Sequence, residues 1–257
     1  MTSTGDRAAE GSTVGDPVTR GAGDRGTRAN APVIDHSHAD VSGGWLRPAT
    51  FGAMDGLVTN IGLIAGVGGG RLDPRTIVLT GLAGLVAGAI SMALGEYTSV
   101  RTQNEQVAFE VDKERRELAF NPAGEAEELA QAWIARGLRP DLAREVATEL
   151  AKNPDEALRV HAQEELGVDP QEVPSPWIAA VSSFVCFSIG ALVPLLPYLL
   201  GVDQLWPALA AGGAGLFVAG AIVSRWTRRV WWASGLRQLT MGALAAGATY
   251  LIGSLFA

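Results

Sequence analysis

Residues 45–70 read WLRPATFGAMDGLVTNIGLIAGVGGG, and this stretch decides the fold of the chain. From Pro48 onward it is almost entirely apolar or small, and it is as long as a helix that crosses about 30 Å of hydrocarbon. The apolar run contains one full charge, Asp55. A carboxylate inside a membrane is costly unless it has a partner or faces a polar path. The stretch therefore predicts a membrane helix whose charged residue has a function.

The same apolar pattern recurs through the rest of the chain. The 257 residues are 47% hydrophobic with a mean hydropathy of +0.18. The apolar residues fall into five runs, each long enough to span a bilayer as a helix: 49–70, 76–99, 177–201, 205–224 and 230–257. Glycine and alanine are abundant within these runs, which suits close helix packing in lipid. We predict an all-α polytopic membrane protein with five transmembrane helices.

A polar segment, 101–175, separates the second run from the third. It contains 17 acidic residues against nine Lys or Arg residues. Its helical periodicity, interrupted at Asn121-Pro122 and Asn153-Pro154, predicts a compact helical domain inserted between transmembrane helices 2 and 3. The predicted organisation is a disordered tail at 1–44, helices 1 and 2 at 45–100, an acidic metal-binding domain at 101–175, and helices 3 to 5 at 176–257.

The distribution of arginine predicts the orientation in the membrane. Arginines precede the first run and also lie between the fourth and fifth runs, which places the N-terminus and the acidic domain in the cytoplasm. Arg71 and Arg75, between the first two runs, count against this orientation. We expect the lipid bilayer to be the plasma membrane of a prokaryote.

Polar side chains within the first two runs are candidates for a transport path. Thr59 follows Asp55 by four residues and Asn60 is next to it, so the three predict a polar stripe on one helix. Met92 and Glu96 have the same i, i+4 spacing, and a thioether with a carboxylate suits a borderline divalent metal such as Fe²⁺. The alternatives are that Asp55 reaches headgroups or an arginine, that Met92 only packs, and that Glu96 lies at the membrane interface.

The acidic segment contains candidate metal ligands at helical spacings. They are Glu110, Glu114 and Glu117 at i, i+4 and i+7, Glu125 and Glu128 at i and i+3, and His161 four residues before Glu165. A histidine with several carboxylates favours Fe²⁺, Mn²⁺ or Zn²⁺. The alternative is an acidic helix face that is only solvated.

Two motifs carry a resemblance to a known family. DGLVTNIGLIAGV at 55–67, SMALGEYTSVRTQNE at 91–105, and an acidic helical insert after the second of five spans together resemble the vacuolar iron transporter family over about 46–257. The resemblance implies a homodimer whose path lies between the subunits. It also implies that Fe²⁺, and often Mn²⁺, leaves the cytoplasm in exchange for protons, with no cofactor beyond the metal itself.

The resemblance also implies roles for individual residues. Asp55 matches the membrane-embedded aspartate of the family and Met92 matches the methionine of its path, while Glu96 fits the pattern at the end of the second span. The metal-binding glutamates of the insert match Glu114, Glu117, Glu125, Glu128 and Glu165. Eukaryotic relatives can have two methionines where this chain has His161 and Ala162. His161 could replace one of those ligands, whereas Ala162 could not.

Two other functions are compatible with the composition. A membrane-bound carboxylate di-iron enzyme usually needs Glu-x-x-His pairs from two helices, and this chain has three histidines, two of them in the tail. A metal-independent scaffold with an acidic partner-binding domain would need neither Asp55 nor Met92. The tryptophans beside the arginines at 225–232 are typical of a membrane-interface belt, so we expect no nucleic-acid partner. The sequence favours a metal transporter that is not an enzyme.

Overall fold

The computed structural model describes residues 44–257, so the predicted tail lies outside the described residues except for its last position. The described part forms eight α-helices and one π-helical turn, and it contains no strand, which confirms the all-α prediction. The elements are α1 (Leu46–Gly69), α2 (Pro74–Phe120), α3 (Pro122–Ala135), α4 (Pro140–Leu150), α5 (Pro154–His161), the π turn (Ala162–Leu166), α6 (Pro176–Leu199), α7 (Leu205–Thr227) and α8 (Trp231–Leu255).

Capping residues followed by proline fix the starts of four helices. Asp73 Oδ1 accepts the backbone N–H of Thr76 at 3.1 Å and begins α2. Asn121, Asn153 and Ser175 cap α3, α5 and α6 in the same way. The cap binds an N–H group that has no partner within the helix, and the proline that follows it has no N–H to satisfy. Local sequence alone therefore determines where these helices begin.

Four of the described helices are long and apolar enough to cross a membrane: α1, α2, α6 and α7. The fifth predicted span forms α8, a helix of 25 residues, but it is not among these four. Polar residues in its first half, including Arg237 and Gln238, lower its mean hydropathy.

Glycines allow the backbones of the apolar helices to touch. A Cβ atom added to Gly56 of α1 would collide with the backbone of Phe187 in α6. One added to Gly253 of α8 would collide with the carbonyl oxygen of Gly66 in α1. Small residues at such crossings permit the close packing that holds membrane helices together. As a result, α1 is the central helix of this bundle, packed against α2, α6, α7 and α8.

The helix α2 belongs to both the apolar bundle and the acidic insert. It runs for 47 residues without interruption, so the second apolar helix continues into the polar segment. At 1.5 Å per residue its length is about 70 Å. Its apolar part is the least buried of the four candidate spans, with Leu79 and Leu94 more than 60% exposed.

The helices of the insert pack on each other and on α2. Leu129 and Ala130 of α3 pack against Ala143 and Ala147 of α4. The helix α5 and the π turn pack on the polar half of α2 around Val111. These contacts bring the ends of α2 and α5 and the start of α3 together.

The close contact between α1 and α8 can be tested with two glycines of the same helix. We expect Gly253→Ala to lower the stability of the membrane bundle, because overpacking at a tight contact typically costs about 1–3 kcal/mol. Gly247→Ala is the matched control, because a Cβ there meets nothing within 4 Å. Thermal unfolding of the purified protein in detergent should show a lower midpoint for Gly253→Ala only. Equal midpoints for the two variants would contradict the close crossing of α1 and α8.

Candidate metal centre

Four side chains of the insert converge on one point. They are Glu114 from α2, Glu125 from α3, His161 from the end of α5, and Glu165 from the π turn. One potential ligand atom of each lies within 4.8 Å of those of the others. All four belong to the set that the sequence predicts, and three separate helices are needed to assemble them.

Local structure explains how these residues reach the centre. Glu114 lies on the face of α2 that is covered by α5, one turn after the buried Val111. The Asn121-Pro122 turn reverses the chain and places Glu125 in the first turn of α3. Gly167, with a φ of 67°, ends the π turn just after Glu165.

The centre is crowded with negative charge. His161 Nδ1 lies 3.1 Å from Glu114 Oε1 and 3.1 Å from Glu165 Oε1, and the histidine is only 2% exposed. Burial, with a further contribution from the charge of Glu165, raises the pKa of Glu114 to about 7. Burial and the neighbouring Glu128 also raise the pKa of Glu125. A bound cation would relieve both effects, because it stabilises the ionised carboxylates.

Three predicted ligands lie outside this four-residue group. Glu117 and Glu128 are exposed, and Glu117 Oε1 lies 3.9 Å from Lys113 Nζ. Glu110 is half-buried on α2 but does not belong to the group. Glu110, Glu114 and Glu117 extend over two turns of α2. The ligand atoms from α3, α5 and the π turn come close only to Glu114, the middle residue of the three. Glu117 and Glu128 still add negative charge, which helps to raise the pKa of the glutamates in the centre.

The surroundings of Glu164 are a feature that the sequence did not predict. The indole Nε1–H of Trp133 donates a hydrogen bond to Glu164 Oε1 at 3.2 Å, and Arg136 forms an ion pair with the same carboxylate. Glu164 therefore faces α3 while the adjacent Glu165 faces His161. The sequence did contain one signal for this arrangement. Glu164 and Glu165 are consecutive, and because neighbouring residues on a helix do not share one face, only one of them could point into the centre.

The three polar residues predicted to form one stripe on α1, Asp55, Thr59 and Asn60, make separate contacts in the structure. Asp55 is half-buried and accepts a hydrogen bond from Thr59 Oγ1 at 3.2 Å. Asn60 is buried and donates to the carbonyl oxygen of Ala191 in α6. Its Oδ1 atom has no hydrogen-bond partner among residues 44–257. Asp55 and Thr59 thus act as a pair, while Asn60 joins α1 to α6.

Glu96 and Met92 lie near the end of the apolar part of α2. Glu96 is buried, and its Oε2 atom lies 3.6 Å from Arg47 Nη1 at the start of α1. That atom has no hydrogen-bond partner within the described part of the chain. Met92 is half-buried and packs against a cluster that contains Phe187. Arg47, which precedes Asp55 by eight residues, therefore pairs with Glu96 in the structure.

Comparison with known proteins identifies the family. The profile of the VIT family matches residues 46–254. The chain belongs to this family. It is 37% identical to a vacuolar iron transporter of Acanthamoeba castellanii over 205 residues, 74% of each chain. It is 29% identical to vacuolar iron transporter 1 of Arabidopsis thaliana over 229 residues, which cover 86% of this chain and 90% of the relative.

A further relative is vacuolar iron transporter homolog 1 of Oryza sativa subsp. japonica, at 34% identity over 82% of this chain and 74% of the relative. Membership of the VIT family confirms the resemblance found in the sequence. Together with the apolar helices it identifies an integral membrane protein. The relatives are named as transporters, in agreement with the prediction that this VIT family member is not an enzyme.

Metal binding at the centre should depend on pH. Glu114 binds a proton with a pKa of about 7, and a metal ligand must be ionised, so metal and proton compete. The ionised fraction of such a carboxyl group is about tenfold higher at pH 8 than at pH 6, so we expect Mn²⁺ affinity to rise by about that factor. Isothermal titration of the full chain in detergent at pH 6, 7 and 8 measures this.

The matched variant for this titration is Glu114→Gln, which removes the titrating group at nearly constant volume. The Mn²⁺ affinity of this variant should be weaker than that of the wild type, and it should vary less between pH 6 and pH 8. An equally steep pH dependence in the variant would show that Glu114 is not the group that competes with the metal.

Proposed function

We propose that this chain transports Fe²⁺, and also Mn²⁺, out of the cytoplasm in exchange for protons. The observation that carries the proposal is that one helix, α2, holds both Glu114 of the candidate centre and the membrane residues Met92 and Glu96. Membership of a family whose members include named vacuolar iron transporters supports iron as the substrate.

The first step of the proposed cycle is capture of the metal by the insert. Three carboxylates and one imidazole are oxygen and nitrogen ligands that suit Fe²⁺, Mn²⁺ or Zn²⁺. Glu117 on α2 and Glu128 on α3 lie close enough to act on the charges of this group, and together with Glu110 on α2 they would attract cations towards it. Because the ion is the cargo and not a fixed cofactor, it must also be able to leave.

The second step is passage through the membrane past Glu96, Met92, Asp55 and Thr59, with Asn60 close to the path. Glu96 lies one helical turn from Met92, between the insert and the apolar bundle. Within the described residues the side chain of Asp55 accepts a hydrogen bond from the hydroxyl of Thr59, and a bound cation would stabilise its charge while a bound proton would neutralise it. Metal and proton would compete for the same carboxylate oxygens, which provides the exchange.

The proposed assembly is a homodimer of subunits with five membrane spans. The fifth span would be α8, which supports this role by packing through Gly253 directly on α1. The poorly buried apolar face of α2 offers a surface for lipid or for a second subunit, and a path between subunits would run along it.

In the proposed orientation the N-terminus and the insert lie in the cytoplasm. The arginines before α1 and between α7 and α8 support a cytoplasmic N-terminus and a cytoplasmic insert. The relatives are named for the vacuole. In a prokaryote the corresponding export out of the cytoplasm would cross the plasma membrane.

The alternative functions have less support. A di-iron enzyme would need a second histidine-containing ligand pair, and His161 is the one histidine among residues 44–257. A scaffold would not require a buried Glu96 or a half-buried Asp55 within apolar helices.

Transport should depend on the carboxylate of Asp55. In proteoliposomes with a pH-sensitive dye inside, we expect Asp55→Asn to abolish both Mn²⁺ uptake and the opposite proton movement, because the neutral amide lacks the negative charge that would hold the cation or the proton. The control is Asp73→Asn, which retains the helix cap in the loop between α1 and α2. Wild-type flux in Asp55→Asn, with correct folding shown by size-exclusion chromatography, would exclude Asp55 from the path.

Loss of the centre should affect capture more than passage. We expect the double variant Glu114→Gln with Glu125→Gln to raise the KM for Mn²⁺ uptake by about tenfold or more while kcat changes little, since uniform binding acts on KM. The control pair is Glu145→Gln with Glu149→Gln on the exposed face of α4. An unchanged KM in the first variant would remove the centre from the transport cycle.

A further inference from the structure

We propose that Trp133, Arg136 and Glu164 form a clamp that positions Glu165 in the metal centre. The clamp holds Glu164 against α3 and so fixes the π turn from which Glu165 projects. This inference deepens the proposed function, because it assumes that the centre binds a divalent metal.

The clamp is anchored on a rigid part of the insert. Trp133 packs against the buried cluster of Leu129 and Ala130 in α3 and Ala143 in α4. Packing of this kind fixes the direction of the indole N–H, which donates to Glu164 Oε1 at 3.2 Å. Arg136, three residues further along at the end of α3, forms an ion pair with the same carboxylate, whose side chain is 23% exposed.

The shape of the π turn explains why Glu164 needs a partner of its own. Residues Ala162–Leu166 form a π-helical turn, a conformation that is rare and often found at functional sites. The wider turn sends the two adjacent glutamates in different directions. Glu165 Oε1 lies 3.1 Å from His161 Nδ1, while Glu164 turns to α3.

The clamp also determines which of two equivalent ligands enters the centre. Glu164 and Glu165 have the same chemistry and neighbouring positions, so only their surroundings distinguish them. Without the indole donor, the π turn could rearrange and place neither carboxylate correctly. Trp133 and Glu164 are therefore positioning residues, which act on the metal through Glu165.

The experiment is a titration of the purified full chain in detergent with Mn²⁺ as the probe. We expect Trp133→Phe, which retains the packed ring but lacks the donor, to weaken Mn²⁺ binding by about tenfold, a typical effect for residues that orient a ligand. The electron paramagnetic resonance spectrum of bound Mn²⁺ should change as well, because Glu165 would shift in the coordination sphere. The melting temperature of the metal-free protein should change little.

Two substitutions of Glu164 separate positioning from general stability. Glu164→Gln retains an oxygen that accepts from Trp133, so its Mn²⁺ affinity should stay within about twofold of wild type. Glu164→Ala has no such oxygen, and its Mn²⁺ affinity should fall about as much as that of Trp133→Phe. The matched control is Glu127→Gln, which breaks a comparable ion pair between α3 and Arg144 of α4. That variant should bind Mn²⁺ like the wild type.

The outcomes distinguish this inference from the proposed function. Wild-type affinity and an unchanged spectrum in both Trp133→Phe and Glu164→Ala would overturn the clamp but leave the metal centre intact. An equal loss in Glu127→Gln would also overturn it, because the effect would then be general destabilisation. Absence of Mn²⁺ binding in the wild type would overturn the metal centre itself.

Discussion

The unbroken helix α2 joins the apolar bundle to the acidic insert. Between Gly95 and Asn121 the sequence has neither glycine nor proline, so the helix continues beyond the apolar bundle. Glu96 and Glu114 are separated by 18 residues of one helix, which corresponds to about 27 Å. The distance between the bundle and the candidate centre is therefore set by helix geometry, and α3 and α5 need only pack against this rod to complete the ligand set.

The same physical problem occurs at two places along α2, because the carboxylates of Glu114 and Glu96 are both withdrawn from water. At the centre, Glu114 is stabilised by a proton at pH values below about 7 and by the nearby His161. At the start of the bundle, Glu96 has the guanidinium of Arg47 at 3.6 Å. Each arrangement leaves an oxygen without a hydrogen bond in the described residues. A divalent cation could satisfy such oxygens better than the present partners.

Sequence patterns predict local features of this protein more reliably than long-range contacts. Hydropathy predicts the long apolar helices, and the Asn-Pro pairs at 121–122 and 153–154 predict where α3 and α5 begin, because both signals depend on neighbouring residues. The pairing of Arg47 with Glu96, and of Asn60 with Ala191, depends on helix crossings that no spacing rule specifies.

In the candidate centre too, the sequence predicts local features better than long-range contacts. Spacing on one helix includes Glu114 among the candidate ligands, but it cannot separate Glu114 from Glu110 and Glu117, since that choice depends on where α3 and the end of α5 meet α2. The π turn was also not predicted, because adjacent glutamates are compatible with an ordinary helix.

A transporter must bind its ion tightly enough to collect it and weakly enough to release it. For the proposed function, a carboxyl group with an ordinary pKa would be ionised at neutral pH and would bind metal without competition from protons. Burial of Glu114 raises its pKa to about 7, so near neutral pH a proton competes with a metal ion for this carboxylate. In the proposed cycle, the burial and the neighbouring carboxylates that raise this pKa would make the ion exchangeable, so small changes in local proton concentration would shift the balance between capture and release.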